Sequence, residues 1–500
     1  MSSQGIVGGL AWRTGPFLLL VAAILLCLAV FVVNHGPLYY FDTGSYFKQG
    51  NATLSLILPE DTQSAGTVGA NQIAQTDDTT NGSRSMIYAL LVAVFWRLDA
   101  LGGIALVNLA AVLLSAWLVV RAARRTGLLQ RSGMSLIAIP LLAAAVTALP
   151  FYIAYVMPDI FAPVLLILIA AVVAMGREMT LTERLTALAL AALAVVLHPS
   201  HLAIAGLMLP LAVLAALLRQ GSGRWFAVGF VACLVLIGFA ERKAFEVAAE
   251  TVAHKQVVYT PFITARLIVD GPGMTYLDEN CPRPDLATCA LHEALSWSDD
   301  PYRLTAAHII FERSQNLGSF LLMTPEDQLA VAQEQRAFFF RVLTAYPFST
   351  VAALAGNAAT QLKMVSVKMT IPTQAVIRSA KSLSGLTDDS LTVLDRGILA
   401  RDRSWIATAD RVHAALYLVA LVAVVGLLLW PGLVAGQLKV FVLCLLAGVL
   451  VNALICGGVS QPADRYGARV IWLLPFAAAF LAAAATAPHR KGRQTAGVDI

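Results

Sequence analysis

The sequence predicts an all-α polytopic membrane protein with about ten (10–11) transmembrane helices and a mostly helical hydrophilic insertion on its outer side. Three observations predict it. Only 13% of the 500 residues are charged, 58% are hydrophobic and the mean hydropathy is +0.74; soluble domains carry about 25% charged residues. Ten apolar stretches approach the ~20 residues that a bilayer core demands. Arginine gathers in alternate short connections, which gives the chain a consistent inside.

The first stretch, 16–33, is long enough to anchor. No small-residue cleavage site follows it before His35-Gly36-Pro37, so it reads as a retained span and not as a cleaved signal. The others fall at about 102–120, 134–150, 157–176, 183–197, 201–218, 224–241, 411–430, 438–456 and 468–487. Arg121, Arg124, Arg125 and Arg131, then Arg177 to Arg184, Arg219 to Arg224, Lys439 and the tail at 489–493 fall on one side. With Arg13 beside an inside N-terminus, that side is cytoplasmic. The net charge of +5 therefore sets orientation and does not point to nucleic acid. Residues 86–98 are apolar but short and are broken by Arg97 and Asp99. Counting them as a span would put the arginines at 121–125 outside. They read as a juxtamembrane helix or the overlong start of the second span; an eleventh helix is the alternative.

This divides the chain into three. Residues 1–241 form an N-terminal transmembrane module that includes a first outer loop, 34–85, rich in Thr, Asn, Gly and Ser. Residues 242–410 form an outer helical segment, and 411–500 form C-terminal transmembrane helices with a short cytoplasmic tail. Within the outer segment, Thr324-Pro325-Glu326-Asp327 reads as a helix start: a hydroxyl cap, proline in the first turn, then acids at the positive end of the dipole. That helix stops before Pro347, and an Ala-rich helix follows over 349–367. Cys281 and Cys289 lie close together in a hydrophilic loop. On the oxidising side of a membrane that spacing suggests a disulfide, and no histidine completes a zinc-finger spacing with them. The other four cysteines lie in or beside apolar stretches and read as small core residues.

The polar residues that stand out collect on the outer side. Asp42 lies just past the first span, flanked by Tyr39, Tyr40 and Tyr46; it suits chemistry at the interface, and equally an aromatic belt with a solvated acid. Asp159 opens a span after Met157-Pro158, where a carboxylate can also cap a helix. His198 and His201 flank an outer hinge, able to meet a phosphate or acceptor or to bond the backbone of a helix break; as a metal pair they lack acidic neighbours. Asp464, Arg465 and Arg469 sit at the outer mouth of the last span, against the usual charge bias, and Arg84 is a further outer arginine. The guanidinium fork suits phosphate oxygens, while an Asp464–Arg465 ion pair is the plainer alternative. The middles of the spans carry almost no ionisable groups, which disfavours an ion-coupled transporter.

An acid just past the first span (Phe41-Asp42-Thr43-Gly44-Ser45-Tyr46), a loop of about fifty residues with a juxtamembrane helix, and polar outer hinges resemble the GT-C superfamily of integral membrane glycosyltransferases. Tyr155-Val156-Met157-Pro158-Asp159 and Asp464-Arg465-Tyr466 are similar to stretches in its bacterial members. The resemblance implies a polyprenyl-phosphate-sugar donor, a glycan or lipid acceptor, and a bacterial inner membrane with the active face periplasmic. It implies Asp42 as the catalytic residue. Arg84, Tyr46, Asp159, His198, His201, Asp464, Arg465 and Arg469 are then candidates for binding substrate and phosphate. The family often pairs two adjacent acids in the first loop; here Asp42 stands alone and Asp77-Asp78 comes much later. No cofactor is implied with certainty, and a divalent metal remains compatible. Two other classes stay open: a non-catalytic transporter or flippase of lipid-linked sugars, and another membrane transferase (an acyltransferase or glycan polymerase).

Overall fold

The computed structural model describes residues 4–55, 58, 79–127, 129, 131–218, 223–296, 305–312, 318–377 and 397–485, with 4–13 as backbone alone. Asp77, Asp78, Arg219 and the tail at 489–493 lie outside them. The described elements are helices apart from two three-residue strands, and seven of the helices are long and apolar enough to cross a membrane. The protein is a multi-pass, all-α membrane protein.

Helix α1 (Gln4–Val33) provides the first span. After it, α2 (Phe41–Leu54) lies against α3 (Met86–Arg97), so closely that a Cβ on Gly50 would meet Ala89 O at 2.0 Å. At 12 residues α3 is short; about 18 Å of helix cannot cross a ~30 Å core. Helix α4 (Gly103–Arg125) is the next span.

Three of the ten apolar stretches differ from the full spans expected. The stretch 134–150 is broken: α5 (Gly133–Ala145) ends in a turn and α6 (Leu149–Ile153) restarts around Pro150, because a residue without an N–H suits a first turn. The stretch 183–197 is α8 (Leu181–Val196), only 16 residues. The third opens α10 (Phe226–Ala253), which continues through Glu241, Arg242 and Lys243. The boundary set at 241 thus falls inside one helix. Hydropathy drops there, but Glu, Arg, Lys and Ala are all strong helix formers.

Helix α7 (Phe161–Met175) is buried along its whole length, ringed by α4, α8, α9 (Pro199–Leu217), α10 and α19 (Gly436–Ala453). A helix apolar on every side belongs at such a centre. The remaining elements of the C-terminal part are α17 (Ile398–Arg401), α18 (Ile406–Leu429), a π-helical continuation of α19 (Leu454–Ser460), α20 (Asp464–Ile471) and α21 (Leu473–Ala485).

The stretch from α11 (Phe262–Val269) to α15 (Pro325–Ala345) has its own core, built from Leu267, Leu277, Leu291, Phe320, Val331 and Phe338. Strand β2 (Gln256–Val258) ties it to the first loop by pairing in parallel with β1 (Thr79–Asn81). Cys281 and Cys289 are disulfide-bonded across the loop between α12 (Pro272–Asn280) and α13 (Thr288–Leu295); α14 (Ala306–Phe311) follows. Thr324 caps α15, accepting from Asp327 N–H at 3.2 Å. The chain then turns by 114° into α16 (Pro347–Lys363).

Candidate active site

The connection after α1 is pinned to the helix break around α6. Leu38 donates its N–H to Ala154 O at 2.8 Å and accepts from Val156 N–H at 2.9 Å. Thr43 Oγ1 donates to Val156 O at 3.2 Å. The amide of Asn108, on α4, donates to the carbonyls of Ile153 and Tyr155 at 3.1 and 3.2 Å, which satisfies backbone that the break leaves open. These bonds bring Asp42, in the first turn of α2, beside Asp159, in the 3-10 turn Pro158–Ile160. Helix α20 supplies the opposite charge. Arg465 and Arg469 are four residues apart and so share one face.

Arg465 joins the two acids. Its Nε donates to both oxygens of Asp159 at 3.0 and 3.2 Å, and its Nη1 to Asp42 Oδ2 at 3.0 Å. The other Asp42 oxygen accepts from Arg84 Nη2 at 2.7 Å. Arg469 Nη1 reaches Asp159 Oδ1 at 3.4 Å, while its Nε and Nη2 donate to Asn452 Oδ1 at 3.1 and 2.9 Å and Nη2 to Ser200 Oγ at 3.3 Å. The rings of Tyr40 and Tyr466 lie 4.9 and 5.3 Å from the Arg465 guanidinium carbon, within cation–π range.

Exposure divides this network in two. The Asp159, Arg465 and Arg469 side chains are 0%, 3% and 0% exposed, whereas Arg84 is 16% and Asp42 31% exposed. The inner three are sealed and occupied with one another. Arg84 lines an open cleft whose other walls include His198, Glu241, Arg242 and Tyr259 on the polar side and Val195, Leu202 and Phe245 on the apolar side; Asp42 is not among its lining residues and is joined to it by its bond to Arg84. Arg84 Nε is buried and has no hydrogen-bond partner.

The other sequence candidates sit around this network. His198 caps α9, accepting from Ser200 N–H at 3.1 Å, and touches Ser200 Oγ at 2.8 Å; it reaches Arg469 only through that serine. His201 is fully buried, with Nδ1 2.7 Å from Ala194 O. Tyr46 is buried edge-to-face against Tyr88, ring centres 4.9 Å apart. Asp464 faces away from the cluster and binds Lys368 Nζ at 2.7 Å and Ser366 N–H at 3.1 Å; the Asp464–Arg465 pair is not formed. Sequence reasoning missed Asn452, Ser200, Tyr466 and Arg242. Asn452 carried a usable signal, a lone amide near the outer end of an apolar span. Arg242 carried the same signal as Arg465, a cation at the end of an apolar stretch.

Burial alone would raise the Asp42 carboxyl, but the guanidiniums of Arg84 and Arg465 outweigh it and hold its pKa at about 2. A depressed carboxyl stabilises the fold above its unfolded pKa, about 3.9, and that contribution is lost as the pH falls through the folded value. The melting temperature of the wild type is therefore expected to exceed that of Asp42→Asn by its full margin at about pH 5. The margin should shrink on going from about pH 4 to about pH 2. A margin independent of pH would contradict the ion pairing.

Among the described residues no three His, Cys, Asp or Glu side chains converge as metal ligands. The two acids at this end already share the guanidinium of Arg465, so a divalent cation would have to displace it.

Neither a protein-family model nor a curated protein matches the chain. The chain is similar to two crystal structures of ArnT from Cupriavidus metallidurans, one in the apo state and one bound to undecaprenyl phosphate. Identity is 14% and the TM-score 0.33 in each case; the match covers 94% of this chain for the first, 97% for the second, and 78% of the ArnT chain in both. At that TM-score the likeness assigns no residue a role.

Proposed function

We propose that this chain is a membrane glycosyltransferase of the GT-C type, moving a sugar from a polyprenyl-phosphate donor to a glycan or lipid acceptor at the periplasmic face of a bacterial inner membrane. The observation that carries this reading is the position of Arg84. It neutralises Asp42 on one side and lines the cleft on the other, with one guanidinium nitrogen still unpartnered. The cleft combines two arginines with an apolar wall, which is the chemistry of a phosphate joined to a hydrocarbon chain.

A carboxylate held near pKa 2 is a poor base. A donor phosphate in the cleft would compete for Arg84 and so loosen its hold on Asp42 Oδ1. The freed carboxylate then takes the proton of the acceptor hydroxyl as its oxygen bonds to the anomeric carbon. The bond from that carbon to the phosphate oxygen breaks, and the oxygen leaves with the electron pair, stabilised by Arg84 and Arg242. A single displacement of this kind inverts the anomeric centre. Arg465, Arg469 and Asp159 hold Asp42 in place and are not phosphate ligands on this reading, since their donors and acceptors are committed to one another.

Charge-assisted hydrogen bonds contribute about 1.5–3 kcal/mol each. Arg84→Gln and Arg242→Gln are therefore each expected to weaken binding of undecaprenyl phosphate by roughly tenfold to a hundredfold. Native mass spectrometry of the titrated protein measures this. Unchanged affinity in both variants would refute the cleft as the donor site.

A further inference from the structure

Helix α16 is built inside out for a helix in water. Thr350, Asn357 and Gln361 face the protein, while the exposed Ser349 and Thr360 turn their hydroxyls to backbone carbonyls of Tyr346 and Gly356. Gln361 is fully buried and clamps the backbone of Ala463, donating to its carbonyl and accepting from its N–H, both at 2.9 Å. Asn357 donates to Asp270 at 2.7 Å. The opposite face is apolar and bare: Phe348, Val351 and Leu362 are 91%, 56% and 40% exposed, with Ala355 and Ala359 exposed between them. Positions 348, 351, 355, 359 and 362 follow the three- and four-residue spacing of one helical stripe. The helix carries no charged residue before Lys363, at its last position. Water would favour the reverse arrangement.

The surroundings say what covers this stripe. α16 lies along the π-helical end of α19, a candidate span, where a Cβ on Gly457 would meet Gln361 Cβ at 2.5 Å; just past its end it also packs closely on α20, where a Cβ on Gly467 would meet Met364 O at 2.0 Å. Leu362 lines an apolar crevice together with Val449 and Ala453 of that span. The exposed leucines of the span, Leu443 and Leu450, face the hydrocarbon if α19 crosses the bilayer, and Leu362 ties the stripe of α16 to that span through the shared crevice. Together α15 and α16 also have the length and hydropathy of a span, bent by 114°.

We propose that α16 is embedded in the bilayer leaflet on the active-site side, with lipid acyl chains covering its Phe348-to-Leu362 stripe. The expectation of a wholly aqueous outer segment over 242–410 then gives way to one that dips back into the membrane. The buried face of the same helix holds the start of α20, which carries Arg465 and Arg469, so lipid packing against α16 supports the wall behind the active site.

Photo-crosslinking of the unmodified full-length protein tests this. The protein is reconstituted in phosphatidylethanolamine–phosphatidylglycerol vesicles containing phosphatidylethanolamine with a diazirine midway along one acyl chain, and the adducts are mapped by peptide mass spectrometry. Adducts are expected on Phe348, Val351 and Leu362 at yields comparable to Leu443 and Leu450, and not on Asn357 or Gln361. Adducts on the α19 leucines with none on α16 would overturn the proposal. That outcome together with a dimer in native mass spectrometry would make the cover a second copy of the protein.

Discussion

Replacement of Asp159 by alanine is expected to destabilise the fold by about 3–5 kcal/mol, the range for removing one partner of a buried ion pair. Net stabilities are commonly only 5–15 kcal/mol, so this is a large fraction of the total. The reason is the number of cations that one carboxylate serves. Asp159 accepts from Arg465 Nε on both oxygens and from Arg469 Nη1, and all three side chains are sealed from solvent. Without Asp159, Arg465 keeps Asp42 as a partner, but Arg469 keeps only the neutral groups Asn452, Ser200 and Cys456. An uncompensated guanidinium at that depth is costly. Asp42→Ala is expected to cost much less, because Asp42 and Arg84 both reach solvent. Thermal unfolding followed by the folded peak in size-exclusion chromatography compares the two. Equal melting temperatures for Asp159→Ala and the wild type would mean that the buried network does not hold the site together.

Much of this network was legible one residue at a time. Arg465 and Arg469 stood out as cations at an outer helix mouth, and their spacing of four already placed them on one face. Asp42 stood out as the acid after the first span. What the sequence could not supply was the partnership. Arg465 meets Asp159 across 306 residues and Asp42 across 423, through a backbone bridge between Leu38 and Tyr155 that no side-chain pattern announces. Backbone-to-backbone pairing carries no residue signature. The local alternative, Asp464 with Arg465, looked simpler on paper, but adjacent residues on a helix point in different directions, and Asp464 turns to Lys368 instead.

The ends of the helices were less legible than the helices themselves, for a related reason. Hydropathy reports how apolar a stretch is, not where its helix stops. It ran across the break between α5 and α6, and it ended at Glu241 although the α10 helix continues to Ala253. Helix α16 was read from its Ala-rich composition as part of a water-facing segment. Its inverted polarity becomes visible only when the partners of Asn357 and Gln361 are known.

The functional reading depends on Asp42 acting as a base, and the largest kinetic effect is expected there. Asp42→Asn keeps the shape of the side chain and can still accept from Arg84 or Arg465 through its one carbonyl oxygen, but it cannot take a proton from an acceptor hydroxyl. Loss of a general base typically slows the step by ~10²–10⁴-fold. Donor binding is expected to change far less, because Arg84, Arg242 and the apolar wall of the cleft remain. Arg84 in particular loses its carboxylate partner and becomes freer to meet phosphate. Weak transfer combined with tight lipid binding distinguishes loss of a base from loss of a binding site.

The most direct measurement is release of polyprenyl phosphate. Wild-type and Asp42→Asn proteins are reconstituted with lipid extract from their own host membranes, and the free polyprenyl phosphate is followed by mass spectrometry, with bound lipid and melting temperature checked alongside. The account predicts that Asp42→Asn stays folded and lipid-loaded while release falls by roughly a hundredfold or more. Release at the wild-type rate from a folded Asp42→Asn protein would contradict it.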